Sequence, residues 1–300
     1  MTGRIIVHIG LPKTATTTLQ HDVFPRLANP DTLYLGVRQP REVNHQDRLF
    51  KDVIAAVNGT EAMGPVRDQL RRHIIDGQTL LLSEEMLTVS QPGISWRDKL
   101  RHLALLLKDM NYALIVTVRE PATALFSYYV ELYPKFSRRG SFMECALLDD
   151  DMRIYHYKSL FDALLSVFER DRITVLRFED IVENRLDSLF RLIRPDREGL
   201  NQILLGQQNA RTARGNAVIA RNSPPWLPRF LEATRRRFRA LGLENGFITG
   251  LVRPVVRRLR KAASREVVIE RPTPEDMDKL RDALRNETLA LKQHLGVAYE

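Results

Sequence analysis

The chain has one cysteine, Cys145, among 300 residues. An internal disulfide framework and a cysteine-cluster zinc site are therefore excluded, and the usage fits a reducing compartment. Cys145 reads as a small buried apolar residue rather than a catalytic thiol. The sequence also lacks any run near the roughly 18 uninterrupted apolar residues that a membrane span needs. An apolar strand pattern begins within about four residues of Met1, which leaves no room for a signal peptide. A soluble, cytoplasmic protein is expected. Internal repeats and low-complexity tracts are missing, so solenoids and disordered linkers are set aside. No group of histidines and acids has metal-ligand spacing, and no metal is expected.

What is present is a chain with 44% hydrophobic and 28% charged residues, enough to bury a large core. The expectation is a single domain over 1–300, with a core over about 4–215 and a basic, helical C-terminal part over about 216–300. The formal net charge is +9. Between Arg211 and Ala262 there are 13 Arg or Lys against two acids, Glu232 and Glu244, so this segment carries +11 and the rest −2. An anionic partner is implied, and sign alone does not choose among nucleotide, glycan, nucleic acid and membrane surface.

Ile5 to Ile9 reads as a short buried strand ending at Gly10, and Thr14 to Leu27 as a helix. Leu33 to His45 has scattered Gly and Pro and reads as loop. Gln46 to Val57 and Pro65 to Asp76 read as helices, and Thr79 to Ser83 as a second strand. Further helices are expected at Lys99 to Met110, from Pro121, and at Tyr155 to Arg170. Strands are expected at Ala113 to Val118 and Ile173 to Phe178, followed by a helix over Ile181 to Arg194 with Asp180 as N-cap. A basic helix near Pro228 to Leu241 and a last one over Pro274 to Leu295 close the chain. Strands alternating with helices imply an α/β fold: three layers, with a central parallel sheet flanked by helices. Ligands in such folds sit beyond the carboxyl ends of the strands.

Gly10-Leu11-Pro12-Lys13-Thr14-Ala15-Thr16-Thr17-Thr18 lies between the first strand and the first helix. Backbone N–H groups and the positive end of a helix dipole hold anions there. Lys13 adds a full charge and the threonines add hydroxyl donors. The spacing of a Walker A loop is absent, because the lysine follows Gly10 by three residues with no glycine directly before it.

At this point the chain resembles the sulfotransferases that use 3′-phosphoadenosine 5′-phosphosulfate (PAPS). Their 5′-phosphosulfate loop has the form P-K-[TS]-G-T-T, and here it stands as Pro12-Lys13-Thr14-Ala15-Thr16-Thr17. Ala15 replaces the usual glycine, so a positive φ at that position would be strained. In the family a strand-end arginine and a serine eight residues later hold the 3′-phosphate; Arg119 and Ser127 have that spacing. Leu82-Ser83-Glu84-Glu85 and Leu176-Arg177-Phe178-Glu179-Asp180 look like bacterial members, and the resemblance covers roughly residues 4 to 215. It implies a P-loop-like fold, binding of PAPS through Gly10, Pro12, Lys13, Thr14, Ala15, Thr16, Thr17, Arg119 and Ser127, product 3′-phosphoadenosine 5′-phosphate (PAP), and no obligatory metal. A later loop in those relatives also touches the nucleotide, and Arg211 and Arg214 are the candidates here.

Sulfuryl transfer needs in-line positioning and stabilisation of dispersed negative charge, which makes Lys13 the electrophilic group. A hydroxyl or amine acceptor benefits from a general base. Glu85 is preferred, with Glu84 and His45 as alternatives; His8, His21, His73, His102, His156 and His294 read as packing or surface residues. Two other classes stay open. A P-loop kinase or other nucleoside triphosphate enzyme would use the same loop but leaves Arg119 and Ser127 unexplained. A non-enzymatic reading treats Arg211 to Ala262 as a nucleic-acid or anionic-membrane module. In the sulfotransferase reading the basic residues from Arg235 to Arg239 are expected to line or flank the acceptor entrance. The acceptor, whether a small molecule, glycan or lipid and whether anionic, is not legible, nor is the oligomeric state. No nucleic-acid partner is expected.

Overall fold

The computed structural model describes residues 3–37, 47–193, 213–214, 217–222 and 265–299. Five short apolar segments build one parallel sheet: β1 (Arg4–Gly10), β2 (Thr32–Gly36), β3 (Thr79–Ser83), β4 (Tyr112–Val118) and β5 (Ile173–Arg177). Their order is β2-β3-β1-β4-β5. All four pairings are parallel, with His8 opposite Ser83 and Gly10 opposite Thr117. Buried parallel strands read as continuous apolar runs, which is why β3 falls on its expected bounds.

β2 overturns one expectation, since Leu33 to His45 was to be loop. Its apolar stretch, Leu33-Tyr34-Leu35, is only three residues long beside Gly36, too short to signal against the turn residues around it. Pairing with β3 makes it an edge strand all the same.

The helices are α1 (Thr16–Thr18), α2 (Phe24–Leu27), α3 (Arg48–Val57), α4 (Met63–Ile75), α5 (Trp96–Leu107), α6 (Pro121–Glu131), α7 (Tyr133–Phe136) and α8 (Phe142–Leu148). They continue as α9 (Tyr157–Leu165), α10 (Phe178–Val182), α11 (Asp187–Ile193), α12 (Pro274–Ala283) and α13 (Arg285–Leu295). α1 and α2 are joined by a π-helical turn, Leu19–Val23, so helical backbone runs unbroken from Thr16 to Leu27. Strand alternation sends Ile5, Val7 and Ile9 to a core with Phe50, Leu103, Leu125 and Phe161. Ile6 joins a second core with Leu19, Phe24, Ile181 and Leu189. Helices thus cover both faces of the sheet, giving the three-layer α/β fold.

Three helix expectations change. Asp180 is not an N-cap: it lies within α10, its carboxylate accepting from Arg177 Nε (2.9 Å) and Arg185 Nη2 (2.7 Å). The single helix expected there is two, broken near Asn184, whose φ of 58° is left-handed. The stretch from Tyr155 begins with a 3₁₀ turn, Asp150–Tyr155, which delivers Tyr155 and Tyr157 into the core on either side of His156. The last helix is interrupted at Leu284, a fully buried side chain. Both halves are tied down: Arg281 Nε approaches Glu120 Oε1 at 3.6 Å, and Glu287 Oε2 accepts the Lys158 N–H at 2.7 Å at the start of α9.

A small antiparallel sheet was not foreseen. β6 (Ala213–Arg214), β7 (Ala217–Asn222) and β8 (Arg265–Glu270) run in the order β6-β7-β8. Val218 and Ile269 cover Val130 of α6. The basic helix, the Arg235 to Arg239 stretch, Arg211 and His45 lie outside the described residues. Among the described residues no helix is long and apolar enough to cross a membrane.

Candidate active site

Three strand ends meet at one edge of the sheet, because the chain passes from β1 to one side for β3 and to the other for β4. That reversal of direction creates a crevice at the carboxyl ends. β1 delivers the loop from Leu11 to Ala15, β3 delivers Glu84 and Glu85, and β4 delivers Arg119.

The loop is held by its carbonyls. Gly10 O accepts from Thr88 Oγ1 (3.4 Å), and Leu11 O from Thr14 Oγ1 (2.6 Å) and Thr16 Oγ1 (3.2 Å). Pro12 O accepts from Tyr155 Oη (2.6 Å), and Lys13 O from Arg119 Nη1 (3.3 Å). Four successive carbonyls therefore point at protein donors. A trans peptide places C=O and the next N–H on opposite sides, so the N–H groups of Leu11, Lys13 and Thr14 face away from those donors. The N–H groups of Thr16, Thr17 and Thr18 add to them, having no intrahelical acceptor in a first turn. Successive outward N–H groups form an anion-binding concavity.

The threonine hydroxyls of the loop are engaged within the protein. Thr14 is fully buried, its hydroxyl shared between Leu11 O and Thr117 Oγ1 (2.6 Å), and Thr16 is 3% exposed and bonded to Leu11 O. Their hydroxyls brace the loop, and what they offer an anion is the backbone N–H. Thr17 is half-buried. Gly10 is required by packing: a Cβ there would stand 2.5 Å from Thr16 Oγ1 and 2.8 Å from His8 Cε1.

Two loop residues have left-handed backbone, Lys13 at φ 68° and Ala15 at φ 63°. The strain anticipated for alanine is present. An L-residue in this region costs about 1–2 kcal/mol. Ala15→Gly is expected to raise stability by about 0.5–1 kcal/mol, and Ala15→Val to lower it, as read from urea midpoints. A glycine variant no more stable than the parent would show that the loop does not carry this strain.

Lys13 Nζ stands 3.0 Å from Glu131 Oε2 at the end of α6. Ser127 lies four residues before Glu131, on the same face of the helix, and is half-buried. The face that carries Ser127 is thereby turned to the loop. Arg119 is half-buried, its guanidinium 4.2 Å above the Phe178 ring and its N–H donating to Tyr157 Oη at 2.9 Å. Burial lowers its pKa, opposed by the charges of Glu179 and Glu120. Arg214 lies in β6.

The two candidate carboxylates differ. Glu84 is 3% exposed and caps the 3₁₀ turn Glu85–Thr88 by accepting the Met86 N–H at 2.9 Å, which commits it to structure. Glu85 is half-buried at the head of that turn. Buried Lys99 holds the turn from beneath, donating to Met86 O (3.0 Å) and Val89 O (2.8 Å). Burial brings Lys99 down to a pKa of about 8, with Glu84 pulling it back up. The hydroxyls of Tyr128 and Tyr155 are raised by burial first and then by carboxylates that include both Glu131 and Glu85.

Beneath the loop lies a buried polar group: His8 Nδ1 is 2.8 Å from Ser83 Oγ, which is 3.1 Å from Gln20 Nε2. His8 is fully buried, which pulls its pKa down to about 3. It is a packed strand residue, as its sequence position suggests. Cys145 is buried as well.

Tyr155, Tyr157, Lys99 and Glu131 were not singled out from sequence. Lys99 had a signal, standing at an inward position of the series Trp96, Leu100, Leu103, Leu107. Tyr155 reaches Pro12 of the loop and Tyr157 reaches Arg119 across separations that no local pattern encodes.

Fold and site together define a three-layer α/β protein with a closely braced loop at the end of its central strand. Among solved structures the chain is similar to a sulfotransferase from Alicyclobacillus acidocaldarius, with 13% identity, coverage of 67% of this chain and 86% of that one, and a TM-score of 0.39. It is also similar to the sulfotransferase domain from the curacin biosynthetic pathway, with 14% identity, coverage of 67% and 76%, and a TM-score of 0.38. No family model matches the chain, and no curated protein matches it.

Proposed function

We propose that the protein is a sulfotransferase, taking a sulfuryl group from PAPS and passing it to a hydroxyl or amine acceptor. The observation that carries this reading is the arrangement of the loop: four carbonyls turned inward, N–H groups turned outward, and Arg119 behind the Lys13–Thr14 peptide. Arg119 and the Thr14 N–H lie on opposite sides of that peptide. We assign them to two separate anionic groups, the 5′ and the 3′ phosphate of one nucleotide. The donor set also fits in kind, with backbone N–H groups and Lys13 for the 5′ end, and Arg119 with Ser127 for the 3′-phosphate.

When bound, PAPS supplies an already activated sulfuryl group on a phosphate leaving group. Lys13 holds positive charge where that phosphate gathers negative charge, and the outward N–H groups orient it. Glu85 is the proposed base for the acceptor proton. No metal is assigned to these steps.

Calorimetry tests the assignment. PAP is expected to bind without Mg²⁺ and far more tightly than ATP, which lacks a 3′-phosphate. Equal affinities, or strict Mg²⁺ dependence, would overturn the proposal in favour of a nucleoside triphosphate enzyme. Arg119→Ala is expected to cost about 1.5–3 kcal/mol of PAP affinity through loss of a charge-assisted contact. Because Arg119 also holds Lys13 O and covers Phe178, about 1 kcal/mol of stability should go with it. Normal PAP affinity in the folded variant would make Arg119 purely a brace for the loop.

A further inference from the structure

We infer that Glu131 is a gate on Lys13: it holds the lysine while the loop is empty and gives it up to the incoming phosphate. This deepens the sulfotransferase reading and rests on it. Lys13 Nζ is 3.0 Å from Glu131 Oε2, and the two side chains are 19% and 44% exposed. The pair is thus reachable by solvent on the glutamate side. Lys13 is the charged side chain of a loop whose other anion donors are N–H groups, so its ammonium is the main charge a phosphate gains there. A carboxylate already seated on that ammonium competes for it.

The contact is suited to exchange. An exposed ion pair is worth at most about 1 kcal/mol, whereas a phosphate carries more charge and can accept from the loop N–H groups and the ammonium together. The backbone of Lys13 is anchored, in left-handed geometry and with Lys13 O held by Arg119, while its long side chain is held by the contact with Glu131. Glu131 therefore sets which way the ammonium points before ligand arrives. It stands one helical turn beyond Ser127 on the same face of α6, so arrival of a nucleotide at Ser127 and release of Lys13 occur along one helix face. After release, the freed carboxylate repels the anion that displaced it and hastens departure of spent nucleotide.

Glu131 is in this sense a positioning residue, acting through Lys13. The test is a double-mutant cycle on PAP affinity, with inorganic pyrophosphate as a second probe that needs only the loop. Glu131→Gln is expected to tighten both ligands by about two- to fivefold, the worth of an exposed pair. In a Lys13→Ala background the same substitution should change affinity by less than half as much, because the competitor has no lysine to hold. Glu131→Asp, shorter by one methylene, should fall between parent and Gln. Weaker binding in Glu131→Gln, or an equal gain with and without Lys13, would overturn the gate. Failure of PAP to bind the parent while pyrophosphate still responds to Glu131→Gln would sink the sulfotransferase reading and leave the gate standing.

Discussion

Lys13→Ala is expected to lower sulfuryl turnover by about 10²–10³-fold, the usual loss when a fixed donor to developing charge is removed. Lys13 is the only charged side chain in the loop from Gly10 to Thr18. The loop itself should survive the change. Its carbonyl contacts to Thr88, Thr14, Thr16, Tyr155 and Arg119 are made by backbone atoms of residues 10 to 13, none by the lysine side chain. PAP affinity should fall too, since the ammonium is the main charge a phosphate gains there, but by less than kcat; release of PAP from PAPS provides the readout whatever the natural acceptor. Glu85→Gln separates the second role. It should lower turnover on an acceptor by about 10²–10⁴-fold while PAP affinity holds, since a base touches the acceptor and not the nucleotide. Unchanged turnover in Lys13→Ala would remove the lysine from the chemistry. Unchanged turnover in Glu85→Gln would remove that carboxylate, and buried Glu84, tied to the Met86 N–H, could not take over without unwinding its turn.

The sheet was legible where burial makes sequence simple. β1, β3 and β4 are mostly buried runs rich in Ile, Val and Leu, β5 is a shorter and partly buried one, and only β2, with three apolar residues beside Gly36, escaped. The site was legible in outline because its parts follow strand ends: Lys13 after β1, Glu85 after β3, Arg119 after β4. Even the strain at Ala15 could be anticipated from a missing glycine. What sequence could not supply was the bracing. Tyr155 meets Pro12 across 143 positions and Thr117 meets Thr14 across 103, contacts fixed by the sheet order and not by local propensity. The ion pair of Lys13 with Glu131 is of the same kind, and it shows that α6 serves the loop as well as the core.

Acid should undo the fold through His8. The imidazole is fully buried in β1, and that loss of hydration holds its pKa down to about 3, against an ordinary value of 6.5. The folded state therefore keeps His8 neutral over a range in which the unfolded chain takes up a proton. The unfolded state binds more protons there, so stability rises with pH: this contribution is complete above about 6.5 and is lost as pH falls toward 3. The slope approaches 1.4 kcal/mol per pH unit, or roughly 5 kcal/mol across the whole window. Local structure gives the proton nowhere to go at lower cost. His8 Nδ1 meets Ser83 Oγ at 2.8 Å, and Nε2 is buried with no hydrogen-bond partner among the described residues. The ring also packs edge-on against Phe24, with centroids 5.0 Å apart. Urea midpoints measured from pH 7.5 to 4 should fall steeply for the parent. His8→Asn cannot titrate; it should start less stable by about 2 kcal/mol from the cavity it leaves, and then decline less with acid, so that the two curves converge. Carboxylates titrate in both proteins and cancel in the difference. Parallel curves would mean that His8 takes up its proton as readily in the folded state as in the unfolded chain, and would overturn this prediction.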